Sequence, residues 1–359
     1  MRQPASVLLT LPVACLLTWL MIVLSHRYGW LVQPRADRWH RRPTALFGGV
    51  AIFFTTLLAA GFLAQKWGFG GRLDLLGLLA GATVIFLVGW LDDVRPLNPQ
   101  VKLVGQMTAI TPFLMGMGLQ RMSEGFMFAI PLMFIWMLAL SNSFNLLDNM
   151  DGLCAGVAAV VACVLAGRAM YFDDVDMAGM ASIVGLTCLG FLCFNFPFGR
   201  RSASIFMGDC GSMFLGYVLA GLVTTAFWGN VRGVPEMAFL PPLIMAVPIF
   251  DTALVIVRRR REGRAISQGG RDHSSHRLVY AGLSERMAVL TLMGLSALFG
   301  TAAVLVERSG PTPWMGATAA LGAAFMLSLG VWLSRFTGPR VPLHLVNEPG
   351  RQSQATGAA

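Results

Sequence analysis

The sequence predicts an all-α integral membrane protein with about eleven transmembrane helices and its polar motifs on cytoplasmic loops. The first observation is composition, because 55% of the 359 residues are hydrophobic, only 13% are charged, and the mean hydropathy is +0.65. Soluble domains are far less apolar. The second is spacing, because apolar runs of about 20 residues recur along the chain, and a helix of that length crosses a hydrocarbon core. Soluble multidomain architectures are therefore excluded.

The apolar runs give the approximate position of each predicted span. The first, 6–25, follows Arg2 and lacks a small-residue cleavage site, so we expect a retained helix and not a removed signal peptide. The other spans are predicted at 45–64, 73–91, 103–120, 126–147, 153–171, 178–197, 212–229, 238–257, 288–306 and 314–334. We expect one polytopic membrane domain over residues 1–340 and a disordered cytoplasmic tail over 341–359.

Loop charge predicts the orientation of these spans. Of the 27 Lys and Arg residues, 20 lie in one set of segments, namely 25–44, 92–102, 145–152, 198–211, 258–287 and the tail from 335. The positive-inside rule places this set in the cytoplasm and the amino terminus outside. The net charge of +9 is mostly this bias. It suits a membrane surface of anionic lipid and anionic substrates, and not nucleic acid.

Four polar side chains recur at steps of three where the predicted fifth span ends. They are Asn142, Asn145, Asp148 and Asp151. Three residues advance a helix by about 300°, so these side chains can share one broad face. Two carboxylates at the end of a membrane-length helix are costly unless they face water, a cation or a ligand. The alternative is that they are ordinary caps and turn formers at a solvated helix end.

Two adjacent carboxylates, Asp92 and Asp93, close the third span, and Lys102 opens the fourth. Adjacent side chains on a helix point about 100° apart, so these acids suit two jobs better than one shared proton. One can orient a divalent cation while the other meets a phosphate or takes a proton. The alternative is a solvated pair that ends a helix.

A second acidic motif lies between the seventh and eighth spans. Asn195 ends the seventh in NFPFG, and Asp209 opens the eighth in FMGDCGS. Glycines on both sides of Asp209 let backbone N–H groups turn toward an anion, while its carboxylate offers a hard oxygen to a metal. Mg²⁺ prefers one or two carboxylates together with phosphate oxygens and water. The motif therefore predicts a magnesium and phosphate site.

The loop after the ninth span is strongly basic. Arg258 to Arg261 are typical of topology anchors at a membrane boundary. The residues that we expect to contact a diphosphate are Arg271, His273, His276 and Arg277. A zinc site would need more ligands than this stretch offers. In the first cytoplasmic loop, Arg42 belongs to a run of arginines that can hold phosphate with two parallel bonds.

Together these motifs resemble a known family. DRWHRRPTALFGG, LDDV with Lys102 and Gln106, NSFNLLDNMDGL, NFPFG followed by FMGDCGS, and RDHSSHRL occur in this order, each on a predicted inward loop. In this respect the chain resembles the polyprenyl-phosphate N-acetylhexosamine 1-phosphate transferases of glycosyltransferase family 4. It is most similar to the WecA/TagO-like branch, the undecaprenyl-phosphate N-acetylglucosaminyl 1-phosphate transferases. The resemblance covers residues 5–335 or so.

The resemblance implies an enzyme of the bacterial inner membrane, with its active site facing the cytoplasm. Such an enzyme transfers a sugar 1-phosphate from a UDP-sugar to undecaprenyl phosphate, releases UMP and requires Mg²⁺ or Mn²⁺. The product would start a lipid-linked cell-envelope glycan, such as lipopolysaccharide or teichoic acid. We expect UDP-N-acetylglucosamine as donor, and another UDP-N-acetylhexosamine is the alternative. The protein could form a homodimer. The transfer could proceed by direct displacement or through a covalent enzyme intermediate.

The resemblance also implies roles for the residues at matching positions. Asp209 would bind the metal on the donor diphosphate, Asp92 would deprotonate or orient the lipid phosphate, and Asp93 would hold that phosphate or the metal. His273 would act with these acids at the diphosphate or sugar. The residues expected to bind substrate are Arg42, Lys102, Asn142, Asn145, Asp148, Asp151, Asn195, Arg271, His276 and Arg277.

A membrane transporter is the alternative from another functional class, since ionisable residues near spans often mark a substrate pathway. A transporter would place such residues near the middle of the membrane and would show inverted repeats. Here the ionisable residues lie at the helix ends on one predicted side, and no internal repeat is visible.

Overall fold

The computed structural model describes residues 5–33, 43–67, 72–120, 124–199, 202–228, 234–265, 270–309 and 313–336. A short 3₁₀ turn, Ala5–Leu9, precedes thirteen helices in these ranges. The helices are α1 (Thr10–Tyr28), α2 (Gly48–Trp67), α3 (Leu73–Val94), α4 (Pro99–Gln120), α5 (Glu124–Leu147), α6 (Leu153–Tyr171), α7 (Val175–Asn195), α8 (Asp209–Trp228), α9 (Val234–Ile244), α10 (Ala246–Arg261), α11 (Ser274–Tyr280), α12 (Glu285–Arg308) and α13 (Pro313–Leu333). The predicted tail, 341–359, lies outside the described residues.

The structure confirms an all-α, multi-pass membrane protein. Within the described ranges, nine helices are long and apolar enough to cross a membrane. The predicted fourth span corresponds to α4, a helix of 22 residues that is not among those nine. The predicted ninth span, 238–257, is divided at Met245 into α9 and α10. Pro241 and Pro242 precede the break, and each lacks the N–H that a continuous helix would use.

Helix α8 occupies the centre of the bundle, and residues 210–227 of its membrane-length segment are all buried. It packs against α2, α3, α5 and α6. Glycines permit close approach, since a Cβ at Gly81 of α3 would lie 1.9 Å from the Tyr217 hydroxyl of α8. That hydroxyl donates to the Ala109 carbonyl of α4 at 2.9 Å. Without a hydrophobic effect between helices in lipid, such small residues and polar bonds bring helices together.

A small backbone network joins the start of α2 to the segment before α8. Strands β1 (Leu31–Val32) and β2 (Thr44–Ala45) pair antiparallel, and Ala45 also forms a bridge with Ile205. The Gly49 N–H then donates to the Met207 carbonyl at 2.8 Å. A Cβ at Gly49 would lie 2.2 Å from the backbone nitrogen of Gly211. Only glycine fits here, and the network fixes the turn that carries Asp209.

The opposite end of the bundle has buried ion pairs of its own. The Arg168 side chain on α6 is 2% exposed and pairs with Glu307 of α12. Its guanidinium lies 4.9 Å from the ring centroid of Phe172 and 4.3 Å from that of Phe227. Two aromatic faces and one carboxylate compensate the charge, so this pair fastens α6, α8 and α12 together.

Gly49→Ala should destabilise the protein, because the added methyl group meets the Gly211 backbone and not a side chain that can rotate away. We expect a loss of about 1–3 kcal/mol, which thermal unfolding of the purified full chain would show as a lower midpoint. Gly61→Ala is the matched control on the same helix, since its Cβ would meet nothing within 4 Å. Equal midpoints for the two variants would show that α2 and α8 are not in close contact.

Candidate active site

Three of the predicted site residues meet where α3 ends and α8 begins. The Lys102 ammonium lies 2.8 Å from Asp92 Oδ2 and 2.5 Å from Asp209 Oδ2. The side chains of Asp92, Lys102 and Asp209 are 16%, 18% and 33% exposed, so the cluster is open to solvent on one side. The second oxygen of Asp92 accepts the Leu97 N–H at 2.7 Å, which orients its carboxylate. One cation thus bridges two acids at a helix end.

Asp93 lies beside this cluster but has different partners. Its Oδ1 accepts the Asp209 N–H at 2.8 Å, and its Oδ2 accepts the Cys210 N–H at 3.0 Å. The carboxylate therefore caps the N-terminus of α8, where the helix dipole favours negative charge. Gly208 has φ +78°, and a Cβ there would lie 2.6 Å from Asp93 Oδ2. The two adjacent acids do have separate positions, while metal binding by Asp93 stays a prediction.

The donor set at Asp209 fits a magnesium ion that is shared with a substrate. Among the described residues, no group of three or more His, Cys, Asp or Glu side chains could hold a metal alone. Mg²⁺ does not need such a group, because one carboxylate with phosphate oxygens and water satisfies it. Asp209 already faces a cation, the Lys102 ammonium. The carboxylates of Asp92 and Asp209 together compensate this positive charge.

The end of α5 is bonded to this cluster through amides. Asn142 and Gln106 of α4 exchange two hydrogen bonds of 3.1 Å each. Asn145 Nδ2 donates to Ser212 Oγ at 3.1 Å, and Ser212 Oγ donates in turn to the Gly208 carbonyl. Asn142 and Asn145 therefore join α5 to α4 and α8 next to Asp209. Binding of substrate by either amide stays a prediction.

The turn between α5 and α6 is held by two other predicted site residues. Asp151 Oδ2 accepts the Ala203 N–H at 2.7 Å. The buried Asn195 side chain accepts the Gly152 N–H and donates to the Ile205 carbonyl, both at 2.9 Å. These bonds position the turn against the segment that leads to α8. Asp148 lies half-buried in the same turn.

The histidine segment contains an acid that the sequence reasoning missed. Asp251 of α10 is fully buried, and its Oδ2 lies 2.7 Å from His273 Nδ1. Its Oδ1 accepts both the N–H and the hydroxyl of Ser274, at 2.7 and 2.6 Å. The available signal was a single acid inside the apolar run AVPIFDTALVIV. An acid in such a run is rare and is a candidate functional position.

A hydrogen bond connects the histidine segment to the turn after α5, because Ser275 Oγ donates to Asn149 Oδ1 at 2.5 Å. The ring of His276 lies edge-on to that of His273, with 5.6 Å between centroids. Burial, with a smaller effect of His273, lowers the pKa of His276 to about 3. His276 is therefore neutral near pH 7.

The basic residues of this segment divide into two groups. Arg277 is 2% exposed, and its Nη1 donates to the Leu333 and Phe336 carbonyls, so it joins α11 to the end of α13. Arg271 is half-buried beside Asp272. For both, contact with a diphosphate stays a prediction. Arg42 lies outside the described residues.

Arg259, one of the four arginines interpreted as topology anchors, also has a buried partner. Its side chain is 1% exposed, and its Nε donates to Asp272 Oδ2 at 3.2 Å. Arg264 Nη2 donates to the other oxygen at 2.8 Å. Burial opposes ionisation of Asp272, yet the two arginines lower its pKa below the usual value. At least this arginine is an internal partner of the histidine segment.

An apolar groove of about 1060 Å³ runs between α10 and α13. Phe250 and Leu254 line one wall, and Met326 and Leu327 line the other. Arg258 and Arg261 lie at one end of the groove, on the last turn of α10. Glu262 lies at the same end and pairs with Arg258, with 3.0 Å between Oε1 and Nε, so the groove combines a long apolar surface with charges of both signs at one end.

Comparison with known proteins identifies the family. Residues 75–227 match the family described as glycosyl transferase family 4. A Bacillus subtilis protein named probable undecaprenyl-phosphate N-acetylglucosaminyl 1-phosphate transferase is 31% identical over 303 residues, which cover 81% of each chain.

Two further relatives have similar names. The Mycolicibacterium smegmatis decaprenyl-phosphate N-acetylglucosaminephosphotransferase is 30% identical over 87% of this chain and 83% of its own. The Escherichia coli K12 undecaprenyl-phosphate alpha-N-acetylglucosaminyl 1-phosphate transferase is 24% identical over 80% of this chain and 79% of its own. The chain belongs to glycosyltransferase family 4, within the polyprenyl-phosphate N-acetylhexosamine 1-phosphate transferases.

Proposed function

We propose that the protein transfers N-acetylglucosamine 1-phosphate from UDP-N-acetylglucosamine to undecaprenyl phosphate, with release of UMP and with Mg²⁺ or Mn²⁺ as cofactor. The observation that carries the proposal is the Asp92, Lys102 and Asp209 cluster at one end of the bundle. The names of the relatives support both the sugar and the lipid acceptor. The family membership argues against the transporter alternative.

The reaction brings two anions together, so neutralisation of charge and alignment supply most of the catalysis. Asp209 would hold the metal ion together with the donor diphosphate, and the bound ion would neutralise charge on the leaving UMP. Asp93 keeps Asp209 in place through the backbone N–H bond at 2.8 Å. The amides of Asn142 and Asn145 and the acids of the α5–α6 turn would line the nucleotide pocket.

The acceptor phosphate would approach Lys102 and Asp92. Lys102 opens α4 beside Val101 and Val104, which are 56% and 61% exposed, so its ammonium lies where an apolar surface meets a polar one. A phosphate there would replace one carboxylate as the partner of Lys102. Asp92 Oδ2, released from that ion pair, would take the proton of a monoanionic phosphate.

We also propose that the site faces the cytoplasm of a bacterial inner membrane. The distribution of 20 of the 27 basic residues supports this orientation, and nucleotide sugars are made in the cytosol. The product would then start a cell-envelope glycan such as lipopolysaccharide or teichoic acid. Homodimer formation stays a prediction.

Purified full-length protein, given undecaprenyl phosphate, Mg²⁺ and a panel of UDP-sugars, should release UMP with UDP-N-acetylglucosamine. EDTA should abolish the release, and excess Mg²⁺ or Mn²⁺ should restore it, because the diphosphate needs a metal to neutralise it. If UMP is released only with another UDP-N-acetylhexosamine, that sugar is the donor and N-acetylglucosamine is not. The absence of release with every donor would contradict the proposed reaction.

Asp209→Asn should lower transfer by about 10²–10³-fold or more at saturating Mg²⁺, because the variant loses the anionic oxygen that would bind the metal. Asp173→Asn is the matched control. It removes a carboxylate at the opposite end of the bundle, where Asp173 is exposed with φ 56°, a conformation that asparagine adopts readily. Near-normal activity of Asp209→Asn would refute its role as metal ligand.

Asp92→Asn should lower kcat far more than it weakens UDP-sugar binding, since its proposed partner is the lipid phosphate. We expect a decrease in kcat of about 10²-fold, the usual effect of removing a general base. Steady-state kinetics with each substrate varied in turn would measure it. Weaker donor binding with unchanged kcat would show that Asp92 belongs to the nucleotide side.

A further inference from the structure

Asp251 needs an explanation, because it is a fully buried carboxylate between apolar neighbours of α10. A carboxylate in such a place is costly unless donors satisfy it. It has three donors within 2.7 Å, namely His273 Nδ1, the Ser274 N–H and the Ser274 hydroxyl. No step of the proposed reaction uses Asp251 directly.

The three contacts assign the proton on the His273 ring. The backbone N–H of Ser274 can only donate, and an ionised carboxylate can only accept. Nδ1, at 2.7 Å from Asp251 Oδ2, must therefore carry a hydrogen. The other ring nitrogen, Nε2, is then the one that can gain or lose a proton. This arrangement is the carboxylate–histidine pairing that selects a tautomer in other enzymes.

The same contacts determine where the ring lies. Ser274 and Ser275 follow His273 at the start of α11, and Asp251 holds the first while Asn149 accepts from the second. Asn149 lies between Asp148 and Met150 in the α5–α6 turn. The edge of the His276 ring packs against the His273 ring. His273 is thus fixed between α10 and the turn that carries two of the predicted nucleotide-pocket acids.

We propose that Asp251 is a positioning residue that keeps a proton on Nδ1 of His273 and presents Nε2 to the donor diphosphate. The inference rests on the proposed function and on the contact between His273 and that diphosphate which the sequence motifs predict. When the ring takes up a second proton, the proton is bound at Nε2, and this N–H donates to a phosphate oxygen. The Asp251 carboxylate compensates the positive charge that the ring then carries.

Asp251→Asn tests the proposal with almost no change of shape. The Ser274 N–H keeps the amide oxygen as its acceptor, so the amide NH₂ faces His273 Nδ1. A donor in that place expels the proton from Nδ1 and forces the neutral ring to carry it on Nε2. The amide cannot compensate a positive charge on the ring, so the Nε2–H meets the phosphate without charge assistance. We expect kcat for UMP release to fall by about 10-fold or more, because a hydrogen bond between charged groups is about twice as strong as a neutral one.

Nitrogen-15 NMR of the labelled full chain, with His273→Gln to assign the signals, reads the tautomer without any substrate. In the wild type, the neutral ring should carry its proton on Nδ1. In Asp251→Asn, the neutral ring should carry its proton on Nε2. Thr252→Val, a neighbouring isosteric change on α10, should leave both the spectrum and the activity unchanged.

A double-variant comparison separates positioning from general support of the fold. If Asp251 acts through His273, Asp251→Asn should cause no further loss of kcat in a His273→Gln background. Losses that multiply would overturn the proposal, as would a wild-type spectrum with an unprotonated Nδ1. If the wild type releases no UMP, the proposed function fails, whereas the spectrum still shows which ring nitrogen carries the hydrogen beside Asp251.

Discussion

Carboxylates at the ends of apolar helices are the constraint on which the site depends. A membrane-length helix cannot expose an acid to lipid at low cost, so each acid needs a cation, a group of N–H donors or water. Lys102 meets Asp92 and Asp209, and the first N–H groups of α8 meet Asp93. These solutions draw α3, α4 and α8 together. The site forms because each of these carboxylates needs a partner from another helix.

Close helix packing makes those solutions possible. A Cβ at Gly89 of α3 would lie 2.6 Å from the Cys210 backbone, and one at Gly49 of α2 would lie 2.2 Å from Gly211. The missing side chains let two helices approach the first turn of α8 at backbone distance. Asp93 can then reach the N–H groups of Asp209 and Cys210. At this end of the bundle, the hydrogen bonds of Asp93 therefore depend on the close packing of the helices.

Much of the site was predictable from the chain, since the acids and amides occur in short motifs at the ends of apolar runs. Asp92, Lys102 and Asp209 do meet, as the order of motifs indicated. The partners of Asp93 were not predictable, because a cap supplied by another helix leaves no local pattern. Asp251 stands out as a single acid in an apolar run, but its partner was not predictable for a similar reason. Its partner lies 22 residues away, beyond any helical period.

By itself, the sequence determined the membrane class, the approximate spans, the orientation expected from loop charge and the motifs that carry the chemistry. These properties depend on composition and on short-range periodicity. Only the tertiary structure decided which acid caps a helix, which one faces Lys102, and that Arg259 pairs internally with Asp272. Those assignments depend on distances between helices that are far apart in the chain, and no local pattern records such distances.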